Sequence, residues 1–589
     1  MRSTSLKLYA PFIALAMVQA LFVVFAPSKG SDSEVSALDG LSAEGFAEGG
    51  TDIDIAGGID PATGAAIDPA TGAAIDPATG AAIDPATGAA IDPATGAKGP
   101  VPAPNEPGAR APDQVPAPVV AAGDTSHCKD GQQTDVTYNA PPCAPKFTGD
   151  NAGSTYQGVS GEEILVIEFQ CQPNEQVNAI LATQGLAASE QETIAFREAA
   201  LKYLNATYEF YGRTLTIKPV TGDCPLTPPD PAKSRQAAAE VAKMKPYAVI
   251  HYAGGPETHD VWARNGIISL GGPHQVNSFY NGRRPFRYDV FIDGTQTADI
   301  IAEYYCKKLA KGTATNAGSV IHPTIGGRNT PRKLAVVVPD NGNGSTVPTA
   351  QQVQRLVQEC SGKEVPLFTY ASDINRATEQ TRATVAGMID AGVTTVVCMC
   401  DPIAPVFLTQ GMTQNSYFPE HVLAGSGLLD FDKLGRLYDP AQWAHAFGPS
   451  HLVTPVAHER TDASLVWRAG GNSGLPCQSC NLPWGYYSLL GAMIQQAGPN
   501  LNPLTVEKGL FTTPPRGGWE QTGGRNDIYL IKFGKDDYTA ISDFREVFWD
   551  ANAVSAIDNQ RGAYVNIDDG RRYERGQLSG DFKVQAKAS

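Results

Sequence analysis

No cysteine precedes residue 128, and aromatic residues are almost absent between positions 30 and 126. The first lack excludes a lipid-modified N-terminal cysteine. The second denies that segment a hydrophobic core of its own, because too little apolar area is available to offset the ordering entropy of ~1–2 kcal/mol per residue. Basic residues are also short: 45 Lys and Arg stand against 61 Asp and Glu, for a net charge of -16. No Lys/Arg cluster interrupts that balance, which excludes the basic stripe of a nucleic-acid binder. Enzyme signatures are missing too. "HERTD" from His458 lacks the second His of a zinc-protease helix, and "DNGNGST" lacks the Lys of a phosphate loop and the last Gly of a dinucleotide turn. No G-x-S-x-G elbow occurs. "NIDDGRR" offers too few ligands for a calcium loop. These absences favour a binder over a catalyst and call for no cofactor.

What is present begins at the N-terminus. Residues 8–28, "LYAPFIALAMVQALFVVFAPS", carry no charge and follow Arg2 and Lys7. A run of that length can span a bilayer with its basic end in the cytoplasm. A cleaved signal peptide is the alternative. A cut after Ala20 would leave six apolar residues exposed, and a cut after Ala26 would put Pro27 at the scissile bond. An uncleaved anchor over residues 1–29 is therefore the expectation, and either way the body is exported. All ten cysteines then favour disulfides.

Residues 30–126 read as a stalk. An eight-residue unit beginning at Ile59 runs five times over 59–98 and places Asp60, Asp68, Asp76, Asp84 and Asp92 in register. Asp-Pro initiates a turn and Gly releases it. Stacking into a solenoid is the alternative, but one Ile per unit argues for a coil. A Pro-rich stretch, "GPVPAPNEPGARAPDQVPAPVV", follows. Some 100 residues of this kind span ~55 Å, enough to hold a body off a membrane.

From about Tyr156 the pattern becomes that of an α/β body. "EEILVIEF" and "RTLTIKPV" read as strands. "SEQETIAFREAALKYLNAT" reads as a helix with Ser189 and Glu192 at capping-box spacing. Asp230-Pro231 opens another helix. "YAVIHYAGG", "NGIISLGG", "RKLAVVVPDNGNG", "VTTVVCMCDP" and "HVLAGSG" are buried-type strands, each running into a Gly-, Asp- or Pro-rich turn. Such alternation specifies parallel sheets with helices on both faces, and ligands bind beyond the carboxyl ends of their strands.

In order, these segments resemble the type 1 periplasmic binding proteins, the branched-chain amino-acid-binding class, over about residues 157–550. "QGVSGEEILV", "YLNATYEFYGRTLTI", "PFRYDVFIDGTQTADIIAEYY", "YFPEHVLAGSG" and "YYSLLGAMIQQAGPNLNP" carry the resemblance, and "LYDPAQWAHAFGPS" is similar to its actinobacterial branch. The resemblance implies two α/β lobes joined by three crossings, hinged over a ligand cleft. Lobe 1 would be 157–294 plus 462–520, and lobe 2 would be 295–461 plus 521–560. A cysteine-stapled junction (127–156) would precede them and a tail (561–589) would follow. The implied function is capture of a small molecule for an ABC-type importer. A membrane-tethered sensor or surface interaction module of the same fold is the alternative, and a thiol-redox protein is a third.

The strand-end turns supply the candidate ligand residues. From lobe 1 these are Gln170, Tyr252, Gly254, Gly255, Glu257, Thr258, Gly272 and His274. From lobe 2 they are Asp340, Asn341, Asn343, Asp401 and Ser426. Relatives that bind amino acids typically grip the α-carboxylate with Ser/Thr hydroxyls after the strand matched here by "YAVIHYAGG". This chain instead places Glu257 there, which disfavours a carboxylate. A plain aliphatic amino acid is therefore not the expected ligand. Among the cysteines, Cys128 with Cys143 would staple the junction. Cys171 with Cys224 would join the first two strand ends, and Cys306 with Cys360 would join two helices of lobe 2. Cys398, Cys400, Cys477 and Cys480 stay open between structural disulfides, a tetrahedral zinc site and a redox pair. Asn481 stands where c-type haem attachment needs His.

Overall fold

The computed structural model describes residues 123–578, apart from positions 253–254, 273–274, 343, 345 and 426, together with four dipeptides of the repeat tract. The chain divides into two compact units, Met1–Ala109 and Arg110–Ser589. In the first unit, Ala74–Ile75, Ala82–Ile83, Ala90–Ile91 and Lys98–Gly99 pair antiparallel in sequence order. Ala74 lies opposite Ile83 and Ile75 opposite Ala82, so the pairing follows the eight-residue period. The coil reading of this tract did not include these pairings. The anchor segment, the Pro-rich stretch and the remaining repeat residues lie outside the described residues. Among those described, no helix is long and apolar enough to cross a membrane.

The second unit is built on two sheets. The first holds β1 (Glu163–Cys171), β2 (Thr214–Gly222), β3 (Ala248–Ile250), β4 (Ile268–Leu270) and β5 (Arg287–Tyr288) in the order β2-β1-β3-β4-β5, all parallel. Helices α1 (Glu175–Ala182), α2 (Glu190–Thr207), α3 (Pro231–Lys243) and α4 (Pro256–Arg264) provide the connections. Local chemistry places them. Ser189 and Glu192 form the reciprocal capping box at the start of α2, and the Asp230 carboxylate accepts from Ala232 N and Lys233 N ahead of α3. Phe196, Ala199, Ala200 and Tyr203 turn one face of α2 into the core, as helical spacing requires.

After β5 the chain crosses to α5 (Gly294–Tyr304) and the second sheet. There β6 (Leu334–Pro339), β7 (Leu367–Tyr370), β8 (Thr395–Cys398), β9 (Glu420–Val422) and β10 (Ala446–Ser450) repeat the same order, β7-β6-β8-β9-β10. The links include α6 (Val347–Ser361), α7 (Ala377–Asp390) and α8 (Ala404–Gln414). The chain then returns to the first lobe as α9 (Asp462–Ala469) and α10 (Asn481–Ala497), which pack on α2. It crosses a third time to β11 (Asp543–Val554), antiparallel to β10.

The C-terminal boundary needs correction. Residues 561–589 were expected as a tail, yet β12 (Arg561–Asn566) and β13 (Arg572–Glu574) both pair antiparallel with β11 and complete the second sheet. The cause is apolar burial. Tyr564 packs edge-on against Trp549 at 5.0 Å and receives the Trp443 indole N–H at 2.8 Å. At the other end, the junction is stapled by Cys128–Cys143. Gln133 Nε2 donates to Thr207 O (2.9 Å) and Asp462 Oδ1 accepts from Tyr138 N (3.1 Å), which ties the junction to α2 and α9.

Candidate functional site

Each parallel sheet ends its strands toward a shared cleft of about 480 Å³. Cys171 at the end of β1, His251 and Tyr252 after β3, and Gly272 after β4 line it from the first lobe. Asn341 after β6, Tyr370 to Asp373 after β7, Met399 to Asp401 after β8, and Gly427 after β9 line it from the second. Hydrogen bonds near the cleft bridge the lobes. Ile374 N donates to Thr227 Oγ1 at 3.0 Å, and Lys433 Nζ donates to Gln184 O at 2.7 Å.

Three tyrosines shape the walls, and each donates its hydroxyl to a carboxylate. Tyr252 donates to Glu168 Oε1 (2.6 Å), Tyr486 to Asp289 Oδ1 (3.0 Å) and Tyr370 to Asp401 Oδ2 (2.7 Å). Burial pushes all three phenols well above their ordinary range, so they remain donors at neutral pH. In the first lobe the accepting carboxylates are themselves paired. Glu168 meets Arg197 Nε at 2.5 Å and also accepts from Tyr487 (3.0 Å). Asp289 meets Arg287 at 2.9 Å. All four ion-pair side chains are buried. The rings of Tyr252 and Tyr486 lie 5.4 Å apart, and Phe291 meets Tyr486 edge-on at 6.4 Å.

On the second lobe, Asp401 does local work. Its Oδ1 accepts from Ile403 N (2.9 Å) and Ala404 N (3.0 Å), capping the approach to α8, where a helix N-terminus favours negative charge. Asn341 and Ser372 hold one another, Oδ1 accepting from Ser372 N (2.9 Å) and Nδ2 donating to Ser372 Oγ (3.2 Å). Gly427 has φ +58°, and a Cβ there would fall 2.3 Å from Cys400 O, so only glycine lets this turn pass the end of β8. His251 is buried with Nδ1 on Phe169 O (2.9 Å). A carbonyl partner makes Nδ1 the protonated nitrogen. Burial pulls the imidazole down to about 4, so it is neutral at pH 7.

Of the residues singled out in the sequence, Tyr252, Gly255, Glu257, Gly272, Asn341 and Asp401 line this one cleft. Glu257, in the first turn of α4, folds its carboxylate back over Gly255, where an added Cβ would fall 2.3 Å from Oε1. Gly254, His274, Asn343 and Ser426 lie outside the described residues. Three expectations are corrected. Gln170 is not in the lining; successive strand residues face opposite ways, and it is Cys171 that reaches the cleft. Thr258 is fully buried and spends its hydroxyl on Gly255 O at 2.8 Å. Asp340 is exposed and closes its own turn by accepting from Gly342 N at 3.0 Å.

All three anticipated disulfides are present, Cys128–Cys143, Cys171–Cys224 and Cys306–Cys360. The four open cysteines pair as Cys398–Cys400 and Cys477–Cys480. These two pairs sit in different hydrophobic clusters, which removes the shared zinc site. Among the described residues no group of three or more His, Cys, Asp or Glu is placed to hold a metal ion. Sequence reasoning missed Tyr370, Phe291 and Tyr486. Tyr370 ends a parallel strand, so the strand-end rule could have found it. Tyr486 sits in a helix whose apolar run reads only as core.

No protein-family model and no curated protein matches the chain. Solved structures do. One is an ABC-transporter solute-binding protein from R. palustris in complex with 4-hydroxybenzoate, at 12% identity, TM-score 0.47, covering 70% of this chain and 98% of that one. Another is a periplasmic binding protein type 1 from Bordetella pertussis Tohama I, at 13% identity, TM-score 0.46, covering 69% and 99%. A third is an ABC-transporter substrate-binding protein from Desulfitobacterium hafniense in complex with Leu, at 13% identity, TM-score 0.42, covering 69% and 100%. These structural neighbours are solute-, substrate- or periplasmic-binding proteins by their own descriptions, and this chain's own α/β architecture has two sheets whose parallel strands run in the same order.

Proposed function

We propose that the chain is an extracytoplasmic solute-binding protein that captures a small molecule between its lobes and presents the closed form to an ABC-type importer. One observation carries the reading: strand-end residues of both parallel sheets line a single cleft of about 480 Å³, within the size range of small-molecule sites. Tyr252, Gly255, Glu257, Phe291 and Tyr486 would meet the ligand from one side, and Tyr370 and Asp401 from the other. Binding both lobes at once favours the closed form, because a ligand shifts a conformational equilibrium only by its differential affinity for the two states. The N-terminal apolar segment and the repeat tract would tether the body outside the membrane.

Hydroxybenzoate and leucine, held by two of the similar proteins, both carry a carboxylate. Among the described residues, this cleft's lining has no Lys or Arg to receive one. Leucine, isoleucine and valine are therefore expected not to bind at micromolar concentration, and calorimetric titration checks this. The reading itself is tested by purifying the protein gently, denaturing it and identifying the released small molecules by mass spectrometry. A non-peptide molecule released in near-stoichiometric amount is expected. A protein that releases nothing, and that no metabolite extract shifts in thermal midpoint, would contradict it.

A further inference from the structure

Resting on the solute-binding reading and deepening it, we propose that the cleft selects a small organic cation, an ammonium group carried on a compact apolar body. The argument starts from charge. Among the described residues, the lining holds three carboxylates, Glu257, Asp373 and Asp401, and no Lys or Arg. Among the described residues neither Asp373 nor Asp401 forms an ion pair, so their charge is not cancelled in place as that of Glu168 and Asp289 is. His251, the basic side chain described in the lining, is neutral, because burial opposes its protonation. An anionic ligand entering this space would meet the like charges of Asp373 and Asp401, whereas a cation would find opposite charge there.

The aromatic residues point the same way. Tyr252, Tyr370 and Tyr486 are the tyrosines of the lining, and every one donates its hydroxyl to a carboxylate. A phenol hydrogen-bonded to an anion carries more electron density in its ring. The face of such a ring attracts a cation more strongly, an interaction worth ~0.5–2 kcal/mol per contact depending on desolvation. Tyr252 and Tyr486 stand 5.4 Å apart with planes at 60°, and Phe291 adds a third ring beside Tyr486. An ammonium group at this corner would have three aromatic rings near it. Three of the side-chain donors in the lining are already committed. Asn341 Nδ2 is on Ser372, Gln380 Nε2 on Ala371 O (3.1 Å), and Thr346 Oγ1 on Pro339 O (2.7 Å). Carboxylates and aromatic rings in one cleft are together the complement of a cation.

The test uses three probes of one shape and different charge on the intact chain, stripped of any released molecule: phenethylammonium, 3-phenylpropanamide and 3-phenylpropanoate, titrated calorimetrically. The cation is expected to bind at least about tenfold more tightly than the carboxylate, with the amide between. Asp401→Asn would also loosen Tyr370 and the start of α8, so Glu257→Gln and Phe291→Leu are the diagnostic variants. Each should weaken the cation at least about fivefold while leaving the amide little changed. A carboxylate that binds as tightly as the cation overturns the assignment and leaves the solute-binding reading standing. Failure of all three probes to bind also overturns it, and the released-molecule measurement then judges the parent reading on its own.

Discussion

The two walls of the cleft are built from the same fold and supported in different ways. Behind the first-lobe wall lie two buried ion pairs, Glu168–Arg197 and Arg287–Asp289, which hold Tyr252 and Tyr486 from the rear. The second-lobe wall has Asp401, which caps α8 and anchors Tyr370 with backbone and phenol donors and no cation. A buried carboxylate needs either an opposite charge or several hydrogen bonds, and the two lobes use one solution each. The difference separates tasks. The first lobe presents an aromatic surface backed by paired carboxylates, and the second presents a carboxylate without an ion pair near a helix start.

The largest expected effect comes from breaking the first-lobe support. Arg197→Met leaves Glu168 buried without its cation. Loss of one partner of a buried pair costs about 3–5 kcal/mol, so urea unfolding should shift by that amount. A shift below about 1 kcal/mol would mean that Tyr252 and Tyr487 suffice to hold the carboxylate. Acid comes next, and it compares the lobes through one histidine in each. Burial pulls both His251, after β3, and His421, in β9, down to about 4. The folded protein therefore refuses protons that the unfolded chain takes up below about 6.5. Stability from each histidine is complete above that pH and is lost as the pH falls toward 4, by about 3 kcal/mol. Asp462 and Asp537, raised by burial to about 6, act in the opposite sense. The contribution is isolated by comparing unfolding at pH 7.5 and 5 in the parent with His421→Gln, whose pH slope should be shallower. An identical slope would contradict it. The smallest effect, about 1–3 kcal/mol, is expected for Gly427→Ala in the second-lobe wall, where φ +58° and the Cys400 carbonyl leave no room for a methyl group. Thermal unfolding checks it, and an unchanged midpoint would show that the turn relaxes freely.

The parts of this arrangement legible in the sequence are those that local physics dictates. Strands β1, β2, β6 and β8 and the capping box of α2 follow from apolar runs and short-range hydrogen bonding. The rule that parallel sheets bind at their strand ends then pointed to Tyr252, Asn341 and Asp401, which line the cleft. Its failures were at single-residue resolution. Gln170 lost to strand alternation, while Thr258 and Asp340 satisfy their own turns, a competition that residue type does not reveal. Tyr486 reaches the cleft from a helix that belongs to the other half of the chain, and its contact with Asp289 joins positions 197 residues apart. Strands β12 and β13 were missed because their apolar residues, Tyr564 above all, gain burial only once β11 is in place.

Hydrogen exchange on the stripped protein, with and without the released molecule restored, tests the central claim most directly. If the ligand is gripped by both walls, the amides around Tyr252 and Glu257 and those around Tyr370 and Asp401 gain protection together, at the same ligand concentration. Protection confined to one lobe, or placed away from both loops, would contradict a cleft that closes on its ligand.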